Sequence, residues 1–84
     1  RSSAVLEQIM EQRRAYQFSD GAARLAAADD AARYSLGVAV PILSGGDLMG
    51  CVCLLLEGSA APLGRTELQL AQTVAEFLGK QLEA

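Results

Sequence analysis

The chain contains 84 residues, of which 51% are apolar, and its formal net charge is −3. A chain of this length forms one domain at most and buries only roughly two-thirds of its unfolded surface. Its seven basic residues are scattered apart from Arg13-Arg14, which excludes the basic patch of a nucleic-acid-binding protein, and no apolar run approaches the ~20 residues of a membrane span. We expect a cytoplasmic domain that by itself binds neither nucleic acid nor membrane and, because it begins at Arg1, a fragment of a longer protein.

An amphipathic helix is predicted over roughly Ser2 to Arg14. Its apolar residues recur at intervals of one, three and four, namely Val5, Leu6, Ile9 and Met10. Ser2 or Ser3 can cap the first turn, while Arg13 and Arg14 lie where the helix dipole favours positive charge. The narrow apolar stripe predicts that one face of the helix is buried.

The next segment has weaker patterns. Tyr16-Gln17-Phe18 alternates with period two and meets the turn signal Asp20-Gly21, which predicts a short strand. Residues 22–28 favour a helix by composition, yet they are few and are bounded by Gly21 and Asp29-Asp30. Helix and strand both stay open for this stretch.

A β-hairpin is predicted from Tyr34 to Leu56. In its first strand bulky residues alternate with small ones: Tyr34, Leu36, Val38, Val40 and Ile42 on one face, and Ser35, Gly37, Ala39 and Pro41 on the other. The bare face admits the close approach of a helix, and Pro41 requires either an edge or a bulge. After the turn at residues 44–47, residues 48–56 are apolar on both faces, which predicts a second strand buried in the sheet.

Cys51 and Cys53 are the only cysteines and lie within this second strand. In an extended strand their thiols point to one face about 7 Å apart, at the limit for a disulfide. We expect reduced, buried thiols that act as small hydrophobic groups. A thiol switch or half of a metal site is the functional alternative, although a chain without histidine cannot complete an ordinary zinc shell from cysteine and histidine.

A long final helix is predicted from about Arg65 to Glu83, with its polar residues on one narrow stripe. The apolar residues form two rows: Leu68, Ala71, Ala75, Leu78 and Leu82 in the first, and Leu70, Val74 and Phe77 in the second. A sheet covers one row, so the second row requires another helix, either the first helix of this chain or a helix of a partner subunit. Dimerisation is therefore the leading physical prediction.

No pattern in the sequence points to catalysis. The chain has no histidine, no G-x-S-x-G elbow, no P-loop and no cysteine beside a plausible base, so we expect no enzyme, no metal centre and no cofactor. Gly45-Gly46 precedes a strand, whereas a dinucleotide fingerprint opens a helix. Asp20 and Asp47 lie in predicted turns, where aspartate bonds to the backbone.

Several motifs together resemble one family. They are Leu6 to Gln12, Tyr34-Ser35, Val40-Pro41-Ile42-Leu43, Gly46-Asp47-Leu48-Met49-Gly50, Leu63-Gly64 and residues 75–83 with the tail F-L-x-x-Q-x-E. From about Ala4 to its end the chain is similar to the C-terminal domain of the stage V sporulation protein T family, a GAF-like sensory domain. The P-I-x-x-x-G-D-x-x-G spacing is shared with GAF domains generally. The tail F-L-x-x-Q-x-E, added to that spacing, narrows the resemblance to this family.

The resemblance implies an α+β fold over residues 1–84: a truncated GAF-like domain with an antiparallel sheet of three or four strands packed against an N-terminal and a C-terminal helix. It also implies a regulator of spore-forming bacteria, in which an AbrB-type DNA-binding domain precedes a GAF-like half that senses a small molecule and pairs subunits through its helices. The first helix and strand of the usual domain are missing, which predicts a bare sheet edge and an incomplete pocket. Cys51 and Cys53 stand where relatives carry small aliphatic residues.

These observations lead to two functional hypotheses. In the first, the hairpin and the segment from Asp20 to Arg33 frame a small-molecule site, and an effector shifts a homodimer between two arrangements. Its candidate contacts are Asp20, Arg24, Asp29, Asp30 and Arg33. In the second, the domain only holds a homo-oligomer together, and its candidate interface residues are Ile9, Met10, Leu70, Val74 and Phe77. The shortage of aromatic residues around the expected pocket favours the second, and the resemblance favours the first.

Overall fold

A computed structural model describes residues 3–28 and 33–83. The elements in chain order are α1 (Ala4–Glu11), β1 (Tyr16–Gln17), β2 (Tyr34–Ser44), β3 (Asp47–Glu57) and α2 (Arg65–Gln81). The strands form one antiparallel sheet in the order β1-β2-β3. The predicted α+β class is confirmed. Neither described helix is long and apolar enough to cross a membrane.

The first helix is shorter than predicted. Ser3 is its N-cap, because its hydroxyl accepts the Leu6 N–H at 3.1 Å and donates to the Ala26 carbonyl at 2.7 Å. The helix ends at Glu11, since the backbone turns at Arg13, whose φ of 57° lies in the left-handed region. The two arginines therefore follow the helix and do not form its last turn.

Between β1 and β2, the described residues 18–28 and 33 form neither a helix nor a strand. Ala26 forms an isolated antiparallel bridge with Ser35, and the Leu36 N–H donates to the Leu25 carbonyl at 2.8 Å. These contacts satisfy backbone groups that a short alanine-rich helix would have satisfied internally. Both alternatives left open by the sequence for residues 22–28 give way to an irregular segment along the start of β2.

A β-bulge at Gly37 changes the two faces of β2. Leu36 pairs with Leu55 and Val38 pairs with Leu54, so Gly37 is an extra residue without a partner on β3. The predicted single face from Tyr34 to Ile42 is wrong, because the bulge turns Leu36 to the opposite face from Val38. Glycine avoids crowding there, since a Cβ on Gly37 would lie 3.0 Å from the Leu54 carbonyl oxygen.

The bulge allows one strand to support a helix on each face of the sheet. One cluster lies beneath α1 and consists of Leu6, Leu36 and Ala39. The other lies beneath α2 and consists of Val38, Val40, Ala71 and Ala75. Because neighbouring strand residues point to opposite faces, α1 and α2 lie on opposite faces of the sheet.

Both long strands have open edges within the described part of the chain. β1 pairs only with Val38 and Ala39, so the side of β2 at Pro41 has no strand neighbour there. The sequence predicted either a bulge or an open edge at Pro41. Neither register shift of the hairpin falls at Pro41, so the strand has an open edge there and no bulge. The prediction that the second strand is buried in the sheet is wrong: β3 lies at the edge, and most of its residues are half-buried. Its apolar faces are explained by a helix on each side of the sheet.

A row of small residues brings α2 against the sheet. The inward positions, four residues apart, are Ala71, Ala75 and Gly79, all of them buried. At Gly79 the approach leaves no room for a side chain, because an added Cβ would overlap the Leu43 carbonyl oxygen. The predicted inward row is therefore wrong at its end: Leu78 is 38% exposed and Leu82 is 53% exposed.

We predict that Gly79→Ala destabilises the domain. Alanine raises the helix propensity by about 1 kcal/mol, but its methyl group requires α2 to move from β2, a change that typically costs 1–3 kcal/mol and so outweighs the gain. Chemical denaturation should show a lower free energy of unfolding. Gly50→Ala is the matched control, since its new Cβ would meet Ile42 at an ordinary 3.7 Å. A Gly79→Ala protein as stable as the control would contradict the close approach.

Candidate functional site

The second helix presents three distinct faces, which follow from a repeated triplet. Each buried small residue is preceded by an apolar residue and followed by a polar one: Leu70-Ala71-Gln72, Val74-Ala75-Glu76 and Leu78-Gly79-Lys80. Successive residues of an α-helix lie about 100° apart, so the apolar and the polar positions lie on opposite flanks of the buried row. We call Leu70, Val74, Phe77 and Leu78 the apolar flank of α2.

The apolar flank is exposed. Leu70 and Phe77 are 57% and 60% exposed, and Val74 and Leu78 are each 38% exposed. The polar flank faces β1 and the turn before it, because Gln72, Glu76 and Lys80 line a groove there. The apolar flank therefore lies toward β3. The first helix of the chain cannot cover it, since α1 lies on the other face of the sheet.

The five candidate interface residues do not form one surface within a chain. Leu70, Val74 and Phe77 belong to the apolar flank of α2. Ile9 and Met10 are partly buried and pack against the cluster beneath α1. The predicted burial of one helix face is confirmed for Leu6, Ile9 and Met10, whereas Val5 is 38% exposed. An interface role for Ile9 and Met10 remains a prediction.

The candidate ligand contacts are largely engaged elsewhere or exposed. The Arg24 guanidinium donates to the Ala60 carbonyl at 2.7 Å and lies 4.6 Å from the centre of the Phe18 ring. Arg33 forms an exposed ion pair with Glu57 at 2.6 Å, and Asp20 is exposed. Asp29 and Asp30 lie outside the described residues. Arg24 therefore acts as a brace between two loops, and the described part of this segment supplies no wall to the groove described next.

A groove lies instead between the open edge of β2 and the polar flank of α2. Its volume is about 420 Å³, and it is lined by Arg13, Ala15, Val40, Pro41, Leu43, Gln72, Ala75, Glu76, Lys80 and Glu83. The left-handed turn at Arg13 brings that arginine to the rim, where its Nε donates weakly to the Gly46 carbonyl at 3.4 Å. Two basic and two acidic side chains thus surround an apolar floor.

The sequence analysis did not identify this groove. The polar positions of the α2 triplets indicate one wall, because each follows a buried residue at helical spacing. The other wall depends on the start of β1, which begins only at Tyr16 opposite Ala39 and so leaves the strand edge at Pro41 without a neighbouring strand. A pairing of two residues carries too little pattern to be predicted, so the open stretch of edge could not be placed.

The cysteine pair is closer than the sequence suggested. The two sulfur atoms lie 3.5 Å apart, and both thiols are free and half-buried. The estimate of about 7 Å was wrong because it followed the Cα spacing, whereas the side chains lean toward each other. Within the described ranges no group of three or more acidic, cysteine or histidine side chains is placed to hold a metal ion.

The two thiols differ in acidity. Either thiol can donate in the hydrogen bond that joins the two sulfur atoms. With Cys51 as the donor, this bond lowers the pKa of Cys53, although burial opposes the shift. The same hydrogen bond, together with burial, raises the pKa of Cys51. With Cys51 as the donor, the thiolate of the pair forms more readily at Cys53 than at Cys51, and the thiolate is the reactive form.

We predict that iodoacetamide at pH 7.5 alkylates Cys53 at least about threefold faster than Cys51, since only the thiolate reacts. Peptide mass spectrometry after short reaction times measures both rates. Cys51→Ala removes the hydrogen-bond donor, so the pKa of Cys53 should rise and its alkylation should slow. Faster reaction at Cys51, or no effect of the substitution, would contradict the assignment.

Comparison with known families identifies one family that covers nearly the whole chain. The family model described as stage V sporulation protein T C-terminal, transcription factor, matches residues 1–83. No curated protein matches the chain. The matched family consists of transcription factors and is not an enzyme family, and its match spans α1, the sheet and α2 alike. The chain belongs to the stage V sporulation protein T C-terminal family of transcription factors.

Proposed function

We propose that this domain associates with a second copy of itself through the apolar flank of α2, and so holds the DNA-binding parts of a sporulation regulator in a fixed arrangement. The single observation that carries the proposal is the exposure of Leu70, Val74, Phe77 and Leu78 on one side of a helix. Contiguous apolar patches of this kind mark association surfaces on soluble domains. Such a regulator acts at the chromosome, which in a bacterium is in the cytoplasm.

The charge distribution supports association at this flank. The charged side chains of the α2 triplets, Glu76 and Lys80, both lie on the opposite flank, so two copies can approach along the apolar flank without burying either of them. The four side chains are already partly buried, so each contributes roughly 1 kcal/mol when covered. Two copies then gain about 8 kcal/mol, which the cost of association largely offsets. A stable dimer therefore requires contact beyond this flank.

We predict that Val74→Glu weakens self-association at least about 100-fold, because it inserts two like charges into an apolar contact. Val74 is 38% exposed in the isolated chain, so glutamate can be accommodated without unfolding it. Sedimentation equilibrium across a concentration series gives the dissociation constant, and circular dichroism checks that the helices are retained.

Gln69→Glu is the matched control for this prediction. It adds the same charge to the same helix at an exposed position outside the apolar flank, so it should leave the dissociation constant unchanged within about threefold. Equal weakening by both variants would indicate a general charge effect. An unchanged mass for a folded Val74→Glu protein would remove the flank from the interface.

A second candidate function is small-molecule sensing in a GAF-like manner, with the groove beside α2 as the site. The observation that favours it is the groove itself, since about 420 Å³ lies in the range of small-molecule sites. Arg13 and Lys80 on its rim suit a carboxylate, and Glu76 and Glu83 suit an amine. A small zwitterion such as an amino acid matches this set.

We predict that a panel of zwitterionic metabolites shifts the NMR amide signals of Ala15, Gln72 and Lys80 in preference to those of Asp20 and Arg24. Lys80→Ala should weaken any such binding at least about fivefold, because it removes one charged partner. Gln69→Ala on the exposed surface of the same helix is the control. Shifts confined to residues 20–33 would support the site expected from the sequence and overturn the groove.

A further inference from the structure

The two cysteines of β3 form a pair of neighbouring thiols on the α1 face of the sheet. Their sulfur atoms lie 3.5 Å apart. Residues two apart in a strand share a face, and both cysteines pack against the cluster beneath α1. The thiols therefore project from a face of the sheet and not from the edge of β3, so a neighbour along that edge would leave their separation unchanged.

The pairing of β3 with β2 holds the backbone of this thiol pair in place. Ala39 pairs with Cys53 and Pro41 pairs with Cys51, and both register shifts of the hairpin fall outside this stretch. The strand is therefore regular between the two cysteines, and their Cα atoms are roughly 6.7 Å apart. The sulfur atoms approach each other because the side chains lean together, while the backbone stays extended.

This geometry is unfavourable for a disulfide. A disulfide has a sulfur–sulfur bond of about 2.0 Å and a Cα separation that rarely exceeds about 6.8 Å. Oxidation would have to draw the sulfur atoms together by about 1.5 Å, with the Cα atoms already near the upper limit and the strand paired with β2. The two thiols are better placed to share one bridging atom than to bond directly.

A trivalent, pyramidal centre fits this separation. A tetrahedral zinc with thiolate bonds of about 2.3 Å sets two sulfur atoms roughly 3.8 Å apart. The lone pair of a trivalent centre narrows its bond angles, so at similar bond lengths the sulfur atoms lie closer together, as the observed 3.5 Å requires.

The number of protein ligands also favours a trivalent centre. A structural zinc site takes four protein ligands, whereas in the described part of the chain no third acidic, cysteine or histidine side chain joins the two thiols. A trivalent centre needs only these two sulfur atoms from the protein, because its third bond goes to a hydroxyl or an organic group.

We propose that Cys51 and Cys53 form a chelating site for a trivalent thiophilic centre, the chemistry of arsenite and of organic arsenicals. Thiolates are soft ligands and select soft centres. With arsenous acid, each thiol gives its proton to a departing hydroxyl group; two arsenic–sulfur bonds form, two arsenic–oxygen bonds break, two waters leave and the third hydroxyl stays on arsenic. Arsenic remains trivalent and neither sulfur is oxidised, so the step requires no oxidant or reductant.

The first helix should respond to an occupied site. Ile9 and Met10 of α1 pack against the same cluster as the two cysteines, whereas α2 lies on the other face of the sheet. An arsenic atom between the sulfur atoms occupies space on the α1 face. Its binding should therefore shift the NMR amide signals of Ile9 and Met10 more than those of Val74 and Glu76.

Titration of the 84-residue chain with sodium arsenite is the primary test. A phosphine reductant keeps the thiols free without competing as a dithiol would, calorimetry gives the affinity, and native mass spectrometry gives the stoichiometry. We expect one arsenic per chain. Cys51→Ser and Cys53→Ser should each weaken binding at least about 100-fold, because the second arsenic–sulfur bond is then no longer intramolecular. One arsenic shared between two chains, or full affinity in either variant, would overturn the site.

Thermal unfolding separates a site built by the fold from one that depends only on the Cys-x-Cys spacing, which an unfolded chain also has. A ligand raises the melting temperature only when it binds the folded state more tightly than the unfolded state. A tenfold preference for the folded chain should raise the melting temperature by about 5 °C or more. The variant with both cysteines replaced by serine is the control and should not respond. An unchanged or lower melting temperature of the natural chain with saturating arsenite would overturn the proposal.

A relocated thiol provides the matched control for geometry. Cys53→Ala combined with Val52→Cys keeps two thiols in the chain but sets them on opposite faces of the strand, so arsenite should bind at least about 30-fold more weakly. Circular dichroism checks that this variant folds, and equal affinity in the folded variant would overturn the chelate. If it does not fold, the Cys53→Ser titration decides. The measurements are made per chain, so failure of the proposed self-association through α2 leaves them unaffected.

Discussion

The close approach of α2 to β2 determines which side chains of α2 are exposed on the surface of this domain. With Ala71, Ala75 and Gly79 facing inward, the helix backbone lies low on the sheet, and a glycine meets the Leu43 carbonyl where any side chain would collide. Small inward residues bury little apolar area themselves. They do determine the rotation of the helix, and the rotation assigns Leu70, Val74 and Leu78 to one flank and Gln72, Glu76 and Lys80 to the other. The surface chemistry of α2 is therefore a consequence of its packing.

The sequence was sufficient for the order and type of the long elements. Alternation in β2, the Gly45-Gly46 turn with its positive φ values, and the period of α2 all describe local geometry, and each element formed within a few residues of its prediction. The faces of β2 were not predictable in the same way, because one extra residue at Gly37 reverses the alternation and a bulge looks like ordinary strand in sequence. Whether an apolar strand is central or lies at an edge also depends on neighbours that its own residues do not specify.

At the candidate site, too, features with a local sequence pattern could be predicted, and those that depend on contacts elsewhere in the fold could not. The second row of α2 could be recognised because Leu70, Val74 and Phe77 repeat at helical spacing, whereas the ligand contacts were chosen by side-chain type within an irregular segment. One of them, Arg24, braces the fold: it bonds to the Ala60 carbonyl, as the Gln17 amide does to the Leu63 carbonyl at 2.9 Å. Polar side chains in small domains often donate hydrogen bonds to loop carbonyl groups that have no backbone donor. Their presence in a loop is thus weak evidence for a ligand.

The bulge at Gly37 also determines how the first helix is attached. In a regular strand Leu36 and Val38 would lie on one face, whereas the extra residue sets Leu36 beneath α1 and Val38 beneath α2. If β2 kept its length but paired without the bulge, the first helix would lose its principal contact on the sheet while the hairpin and α2 kept theirs. The packing of the N-terminal third of the molecule on the sheet therefore depends on which face of a single strand each side chain of β2 occupies.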